Sequence, residues 1–201
     1  MKDNTIAIMG GSFNPFHKGH LELAIQAHIQ YGLEHILVMP SYNPVSYKDT
    51  SEMAEAKHRC NMIKAAIEPY PYMELSMLEI ERGGRTYTAD TLKELKNIYD
   101  YIYFIIGADS LMALDRWYDA AYVLSNCHFL AANRNGLQQE ELDQRAEYLC
   151  KEYGASIDFL KIPDLPYSSS VIRDRIEAGL PVDTMVPPEV NRYIIQHKLY
   201  R

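Results

Sequence analysis

An apolar run that ends in glycines and hands over to a helix leaves a chain few ways to fold. Ile6, Ala7, Ile8 and Met9 form such a run, with β-branched residues at alternate positions, and predict a buried strand. Gly10 and Gly11 follow, then Ser12, Asn14 and Pro15, residues that favour turns and caps. From about Gly19 the apolar positions Leu21, Leu23, Ala24, Ile25, Ala27 and Ile29 repeat at helical spacing. A strand that turns through glycines into a helix N-terminus builds an anion site, because amide N–H groups without helical partners point out of that end. Glycine also admits dihedrals closed to other residues and lets the backbone approach a ligand closely. His17 and His20 stand at this entrance at a spacing that one helical turn brings onto one face.

The pattern then repeats. His35–Met39 predicts a second strand, closed by Pro40, and strand–helix–strand over so short a stretch is a right-handed βαβ unit with parallel strands. Residues 41–50 form a loop past that strand's C-terminal end. Ser51 is suited to cap the next helix, whose stripe is Met53, Ala56, Cys60, Ile63, Ala66 and Ile67; His58 and Arg59 read as helix surface. Tyr72–Leu78 alternates like a strand, residues 79–85 are polar, and Thr88 is a suitable N-cap for a helix over Ala89–Asn97. Tyr101–Ile106 is the strongest strand signal after the first. It runs into Gly107, Ala108 and Asp109, where Asp109 can cap a helix or accept ribose hydroxyls. A strand over Cys127–Asn133 brings Arg134 to its C-terminal end, a helix over Gln138–Tyr153 follows, and Ile157–Ile162 predicts the last strand. Ser168, Ser169 and Ser170 then open a helix with Arg173 on its first turn, which makes a second phosphate site from hydroxyls, free amides and a guanidinium. Pro187 and Pro188 open the closing helix. The alternation predicts an α/β fold, a doubly wound parallel sheet in one domain over residues 1–201, with the candidate residues at C-terminal strand ends.

Composition limits the partners. A net charge of −7 argues against nucleic acid, which selects a basic surface. An anionic ligand must meet local cations, among them Lys18, Lys48, Arg85, Arg134 and Arg173. No apolar run reaches membrane length and no signal peptide opens the chain, so no membrane partner and a cytoplasmic location are expected. Cys60, Cys127 and Cys150 are widely spaced and expected as free thiols. A homo-oligomer is left open.

The run from Gly11 to His20, containing His17-Lys18-Gly19-His20, resembles the HxGH signature of the nucleotidylyltransferase superfamily and, within it, nicotinate-nucleotide adenylyltransferase. The segment Arg85-Thr86-Tyr87-Thr88-Ala89-Asp90-Thr91-Leu92 is similar to that family's Ser-Tyr-Thr-x-x-Thr-Leu. Ser168–Arg173 is similar to Ser-Ser-Thr-x-Ile-Arg, with Ser170 where threonine is usual. In the loop that ends at Lys48, Tyr47 stands where the family has histidine.

The resemblance implies a Rossmann-like nucleotidylyltransferase fold. It also implies adenylyl transfer from ATP to nicotinate mononucleotide, giving deamido-NAD and pyrophosphate in NAD biosynthesis, with Mg²⁺ carried on the ATP phosphates. His17, His20 and Arg173 would be catalytic. Gly10, Gly11, Ser12, Phe13, Gly19, Gly107, Arg134, Ser169 and Ser170 would bind ATP. Lys48, Thr86, Tyr87, Thr88, Asp109, Trp117 and Tyr118 would bind the mononucleotide, with Trp117 against the pyridine ring. From the residues alone, Trp117 is equally core packing, and Lys48 is equally a solvated loop residue. Phosphopantetheine adenylyltransferase, cytidylyltransferases and a catalytically silent nucleotide-binding protein are the competing readings. The chain lacks a GxxxxGK[ST] loop and a GxGxxG after the first strand, which disfavours a P-loop hydrolase and a standard dinucleotide-binding dehydrogenase.

Overall fold

The computed structural model describes residues 4–44, 53–132, 138–163 and 167–201. β1 (Thr5–Gly11) lies inside a six-stranded sheet with β2 (Ile36–Pro40), β3 (Met73–Leu75), β4 (Tyr101–Gly107), β5 (His128–Ala132) and β6 (Ser156–Leu160). The order is β3-β2-β1-β4-β5-β6, and every pair is parallel. The winding reverses between β1 and β4. At such a switch the loops leave neighbouring strands in opposite directions and open a ligand crevice at the C-terminal edge.

Period-two alternation splits β1 between two cores. Ala7 and Met9 pack with Leu23 and Ala27 of α1 (Lys18–Tyr31), Met62 and Ile63 of α2 (Ala56–Ile67), Ile172 of α8 (Ser169–Glu177) and Val190 of α9 (Pro188–His197). Ile6 and Ile8 pack on the other face with Leu92 of α4 (Thr88–Leu95), Leu111 of α5 (Ala108–Leu111), Val123 of α6 (Ala120–Asn126) and Leu149 of α7 (Gln139–Tyr153). A strand buried on both faces must be apolar throughout, which is why this one was readable. Each such Ile or Leu contributes on the order of 1.5–3 kcal/mol relative to exposure.

Several local expectations shift. The strand expected over Tyr72–Leu78 pairs only over Met73–Leu75, and the polar stretch after it holds a short helix, α3 (Leu78–Arg82). Tyr87, not Thr88, occupies the N-cap of α4, and no side chain caps it. α2 begins at Ala56 with Glu55 as N-cap, and the expected cap Ser51 lies outside the described residues. Cys60, Cys127 and Cys150 carry free thiols. No helix of the described residues is long and apolar enough to cross a membrane.

Candidate active site

The turn from β1 into α1 is held by its own side chains. Gly10 and Gly11 belong to the strand, and the reason for glycine there is room. A Cβ on Gly10 would lie 3.3 Å from the Phe104 ring and one on Gly11 would lie 3.2 Å from Phe13. The positive backbone angle falls instead on Phe13, at φ 47°, a conformation that bulky residues adopt at some cost in strain. Its ring is buried against Phe16 and edge-on to His20. The Phe13 side chain is therefore committed to the core, and only its backbone is left to face the crevice.

His17 is the N-cap of α1, and the cap is reciprocal. Nδ1 of His17 accepts from the His20 amide at 3.3 Å, and Nδ1 of His20 accepts from the His17 amide at 3.2 Å. The two rings stack with centroids 3.6 Å apart. A neutral imidazole that accepts at Nδ1 carries its proton on Nε2. The backbone thus fixes both tautomers, and both rings become Nε2–H donors at the positive end of the helix dipole. Gly19 is buried in the first turn behind them.

Four segments converge on the residues before this cap. Arg173 donates from Nη1 to the Asn14 carbonyl at 2.9 Å, and Ser169 donates from Oγ to the Pro15 carbonyl at 3.0 Å. Ser168 is the N-cap of α8, accepting from the Val171 amide, and Ser170 pairs with the Ser168 hydroxyl. Because α8 begins at Ser169, Arg173 lies on its second turn rather than its first and reaches back across the site. The Asn14 side-chain carbonyl accepts from the Ala54 amide at 3.0 Å and from the Tyr200 hydroxyl at 2.8 Å. Arg59 donates from Nη1 to the Ser12 carbonyl at 2.8 Å and from Nε to the Ala54 carbonyl at 3.0 Å.

Arg59 is a correction to the sequence reading. It is 1% exposed, the bulkiest of the fully buried side chains, and not helix surface. The signal was present: Arg59 stands three residues after Ala56 and four before Ile63, on the apolar stripe itself. Asn14 and Tyr200 had no comparable signal, since they stand 186 positions apart in the chain and meet only in the fold.

Across the crevice the β4–α5 turn is looser. Gly107 is the N-cap of α5, no side chain caps it, and Asp109 follows on the helix, exposed. Capping therefore does not account for Asp109. Trp117 is half-buried, with its edge toward Phe104 at 6.2 Å between centroids. The exposed Tyr118 ring lies 4.4 Å from that of Tyr87. Thr86 ties this side to the β1 side: its hydroxyl accepts from the Tyr42 and Asn43 amides, while the Ser41 amide donates to the Gly11 carbonyl. Thr88 is half-buried at the start of α4.

Below that segment Thr91 donates to the buried Glu79 carboxylate at 2.7 Å, and Arg82 donates to the Thr91 hydroxyl. Burial raises the Glu79 pKa from 4.5 to about 7, against the opposing pull of Thr91 and Arg82. Lys48 and Arg134 lie outside the described residues.

The cytidylyltransferase-like family model matches residues 8–175, a span that contains both histidines and Arg173. A probable nicotinate-nucleotide adenylyltransferase of Lachnoclostridium phytofermentans is 41% identical over 197 residues, covering 97% of this chain and 98% of the relative. The chain belongs to the nicotinate-nucleotide adenylyltransferase family. A probable member from Carboxydothermus hydrogenoformans is 38% identical, with 98% of each chain covered. Among solved structures, the Plasmodium falciparum nicotinic acid mononucleotide adenylyltransferase complexed with APC has a TM-score of 0.79 at 22% identity, covering 98% of this chain and 97% of that one. Its complex with NaAD gives a TM-score of 0.77 at 21% identity. These likenesses place the sheet order and the switch-point crevice in the fold of the nicotinate-nucleotide adenylyltransferases.

Proposed function

We propose that this chain transfers the adenylyl group of ATP to nicotinate mononucleotide, giving deamido-NAD and pyrophosphate in NAD biosynthesis. The observation that carries the reading is the reciprocal histidine cap. Two imidazoles with backbone-fixed Nε2–H donors stand at a helix N-terminus beside a glycine strand end. Preset donors of this kind suit a triphosphate and the charge that develops on it.

The mononucleotide's phosphate oxygen attacks the α-phosphorus of ATP. A new phosphorus–oxygen bond forms as the bond to the β-phosphate bridge breaks, and that electron pair leaves on pyrophosphate. The attacking oxygen is already anionic, so no base is needed, and catalysis rests on positioning and charge stabilisation. His17 and His20 donate to ATP phosphate oxygens. Arg173, with the α8 start at Ser169 and Ser170, holds the pyrophosphate side. Gly10, Gly11, Ser12, Phe13, Gly19 and Gly107 supply close backbone approach. Asp109 faces a ribose, while Trp117, Tyr118 and the Thr86–Thr88 segment receive the pyridine nucleotide. Lys48 and Arg134 are proposed as phosphate contacts from sequence alone.

Mg²⁺ would be carried by the ATP phosphates and would offset their charge. An ion held by substrate oxygens and water needs few protein ligands, and the donors gathered at this turn are cationic or neutral, as suits the phosphates themselves. The reading takes residues 1–201 as one nucleotidylyltransferase domain working in the cytoplasm.

A panel of co-substrates tests it: ATP with nicotinate mononucleotide, with nicotinamide mononucleotide and with phosphopantetheine, and CTP with glycerol phosphate. Pyrophosphate release and product mass are the readouts. The expected result is deamido-NAD as the main product. Turnover confined to phosphopantetheine or CTP, or no pyrophosphate in any arm, overturns the reading.

A further inference from the structure

Arg59 sits where a cation is expensive. Its guanidinium is sealed in the core, and burial pulls its pKa below the ordinary arginine value. Among the described residues no carboxylate lies within ion-pair distance of it. Its donors go to two backbone carbonyls, Ser12 and Ala54. A buried charge held only by carbonyls is a poor stabilising device, and an apolar residue of similar volume commonly serves a core as well or better.

What the side chain does instead is local. It holds the Ser12 carbonyl one residue ahead of Phe13, whose φ is 47°. The Ala54 carbonyl that it also binds belongs to the residue whose amide donates to Asn14. Tyr200 grips the same Asn14 side chain, and Arg173 grips its backbone carbonyl. The Tyr200 phenol lies within electrostatic reach of both arginines, which oppose the upward push of burial on its pKa. All of these bonds but the one from Arg59 to the Ala54 carbonyl end on Ser12 or Asn14, a few residues ahead of the histidine cap.

We infer that Arg59, with Tyr200, is a positioning residue for adenylyl transfer: it fixes the Ser12–Asn14 turn from inside the core and so sets the angle at which His17 and His20 meet the phosphates. The inference rests on the adenylyl-transfer reading. Arg59 acts through the turn and touches no substrate. Small displacements of preset donors are costly, on the order of a hundredfold in rate for about 1 Å. Lysine in its place keeps the charge but cannot span two carbonyls with a planar fork.

The test uses the full chain, with turnover, both Michaelis constants and thermal unfolding measured on wild type, R59K, R59M and Y200F. Wild type must first form deamido-NAD from ATP and nicotinate mononucleotide. Failure there removes the adenylyl-transfer reading and says nothing against Arg59. Given that activity, R59M should lose on the order of a hundredfold in kcat, R59K should recover part of the loss, and the mononucleotide KM should move less than about twofold.

The deciding arm places the Arg59 substitution in a His20→Ala background. Two residues that act through one turn are non-additive, so the substitution should cost far less there than in wild type. Folded variants with wild-type kcat, or losses that simply multiply in the His20→Ala background, overturn the inference. Should R59M not fold, R59K and Y200F carry the same comparison, and wild-type kcat in both overturns it equally.

Discussion

The crevice has two walls of the same design and different rigidity. After β1, the turn is closed by a reciprocal side-chain cap, stacked imidazoles, buried phenylalanines and bonds from Arg59, Arg173, Ser169 and Tyr200. After β4, the same strand–glycine–helix logic ends in a four-residue helix with no side-chain cap and an exposed aspartate. The β1 wall presents donors that are already aimed. The β4 wall presents aromatic surface and an exposed carboxylate. Charge stabilisation demands preset dipoles, because reorganising them during reaction would consume the gain. Recognition of a flat heteroaromatic ring tolerates more play. The contrast suits the proposed division of labour, in which the β1 wall takes the phosphates and the β4 wall the pyridine nucleotide.

The sharpest way to break this contrast is His20→Ala. On the tight wall it should reduce turnover by about two to three orders of magnitude at saturating Mg-ATP, the usual loss for one transition-state donor. The return half of the cap goes too, while His17 still accepts from the residue 20 amide, so thermal unfolding should show a loss of about 0.5–1 kcal/mol, the lower part of the range for a lost cap. A variant with near-wild-type turnover would remove His20 from the mechanism.

The support under the loose wall is next. The Glu79 carboxyl has its pKa raised from 4.5 to about 7. Below about pH 4.5 it is protonated in both folded and unfolded chains. As pH rises toward 7 the unfolded chain ionises first, so stability falls across that window, by up to about 3 kcal/mol, and the loss is complete above it. Glu79→Gln keeps the acceptor for Thr91 and cannot ionise, so it should gain on wild type in thermal midpoint between about pH 5 and pH 8. Parallel pH profiles for the two proteins would show that Glu79 carries no such cost.

Base choice is subtler. Amide donors favour the nicotinate carboxylate over an amide whose NH₂ would face them, and each mismatch costs about 1–3 kcal/mol. The expected outcome is a specificity constant for nicotinate mononucleotide at least about tenfold above that for nicotinamide mononucleotide, the lower end of the same range. Arg116→Ala should leave that preference intact. Equal constants for the two mononucleotides would remove backbone donors as its source.

Trp117 gives the smallest effect, because part of its surface is already committed to Phe104. As the sole tryptophan, it should show fluorescence quenching by the mononucleotide. Trp117→Ala should raise the mononucleotide KM about tenfold, equivalent to the 0.5–1.5 kcal/mol range of an aromatic pair, with less change for ATP. Fluorescence unchanged at saturation would return Trp117 to the core alone.

How much of this was legible depends on what each feature answers to. The strands and their parallel alternation with helices answer to local apolar runs punctuated by glycine and proline, which a sequence displays directly, whereas the strand order and the switch point emerge only in the fold. The two histidines were legible as a pair, but their reciprocal caps were not, because histidine is an unusual N-cap and Ser12 and Asn14 were the obvious candidates. Gly10 and Gly11 do not carry the unusual backbone angle expected of them: neighbouring rings leave a Cβ little room there, and the positive φ sits on Phe13. α3 was hidden because five residues show too little periodicity. Arg59 was misplaced because charge was allowed to outweigh its position on the apolar stripe. Asn14 and Tyr200 could not be read at all, since only the folded chain brings them together.

That last contact bears on how the protein is made. The hydroxyl that holds Asn14 belongs to residue 200, so the turn is synthesised 186 positions ahead of this support. A nascent or prematurely released chain that stops short of Tyr200 can carry β1, both histidines, Arg59 and Arg173 and still present its phosphate turn one bond short. The turn gains this bond only once translation has reached Tyr200.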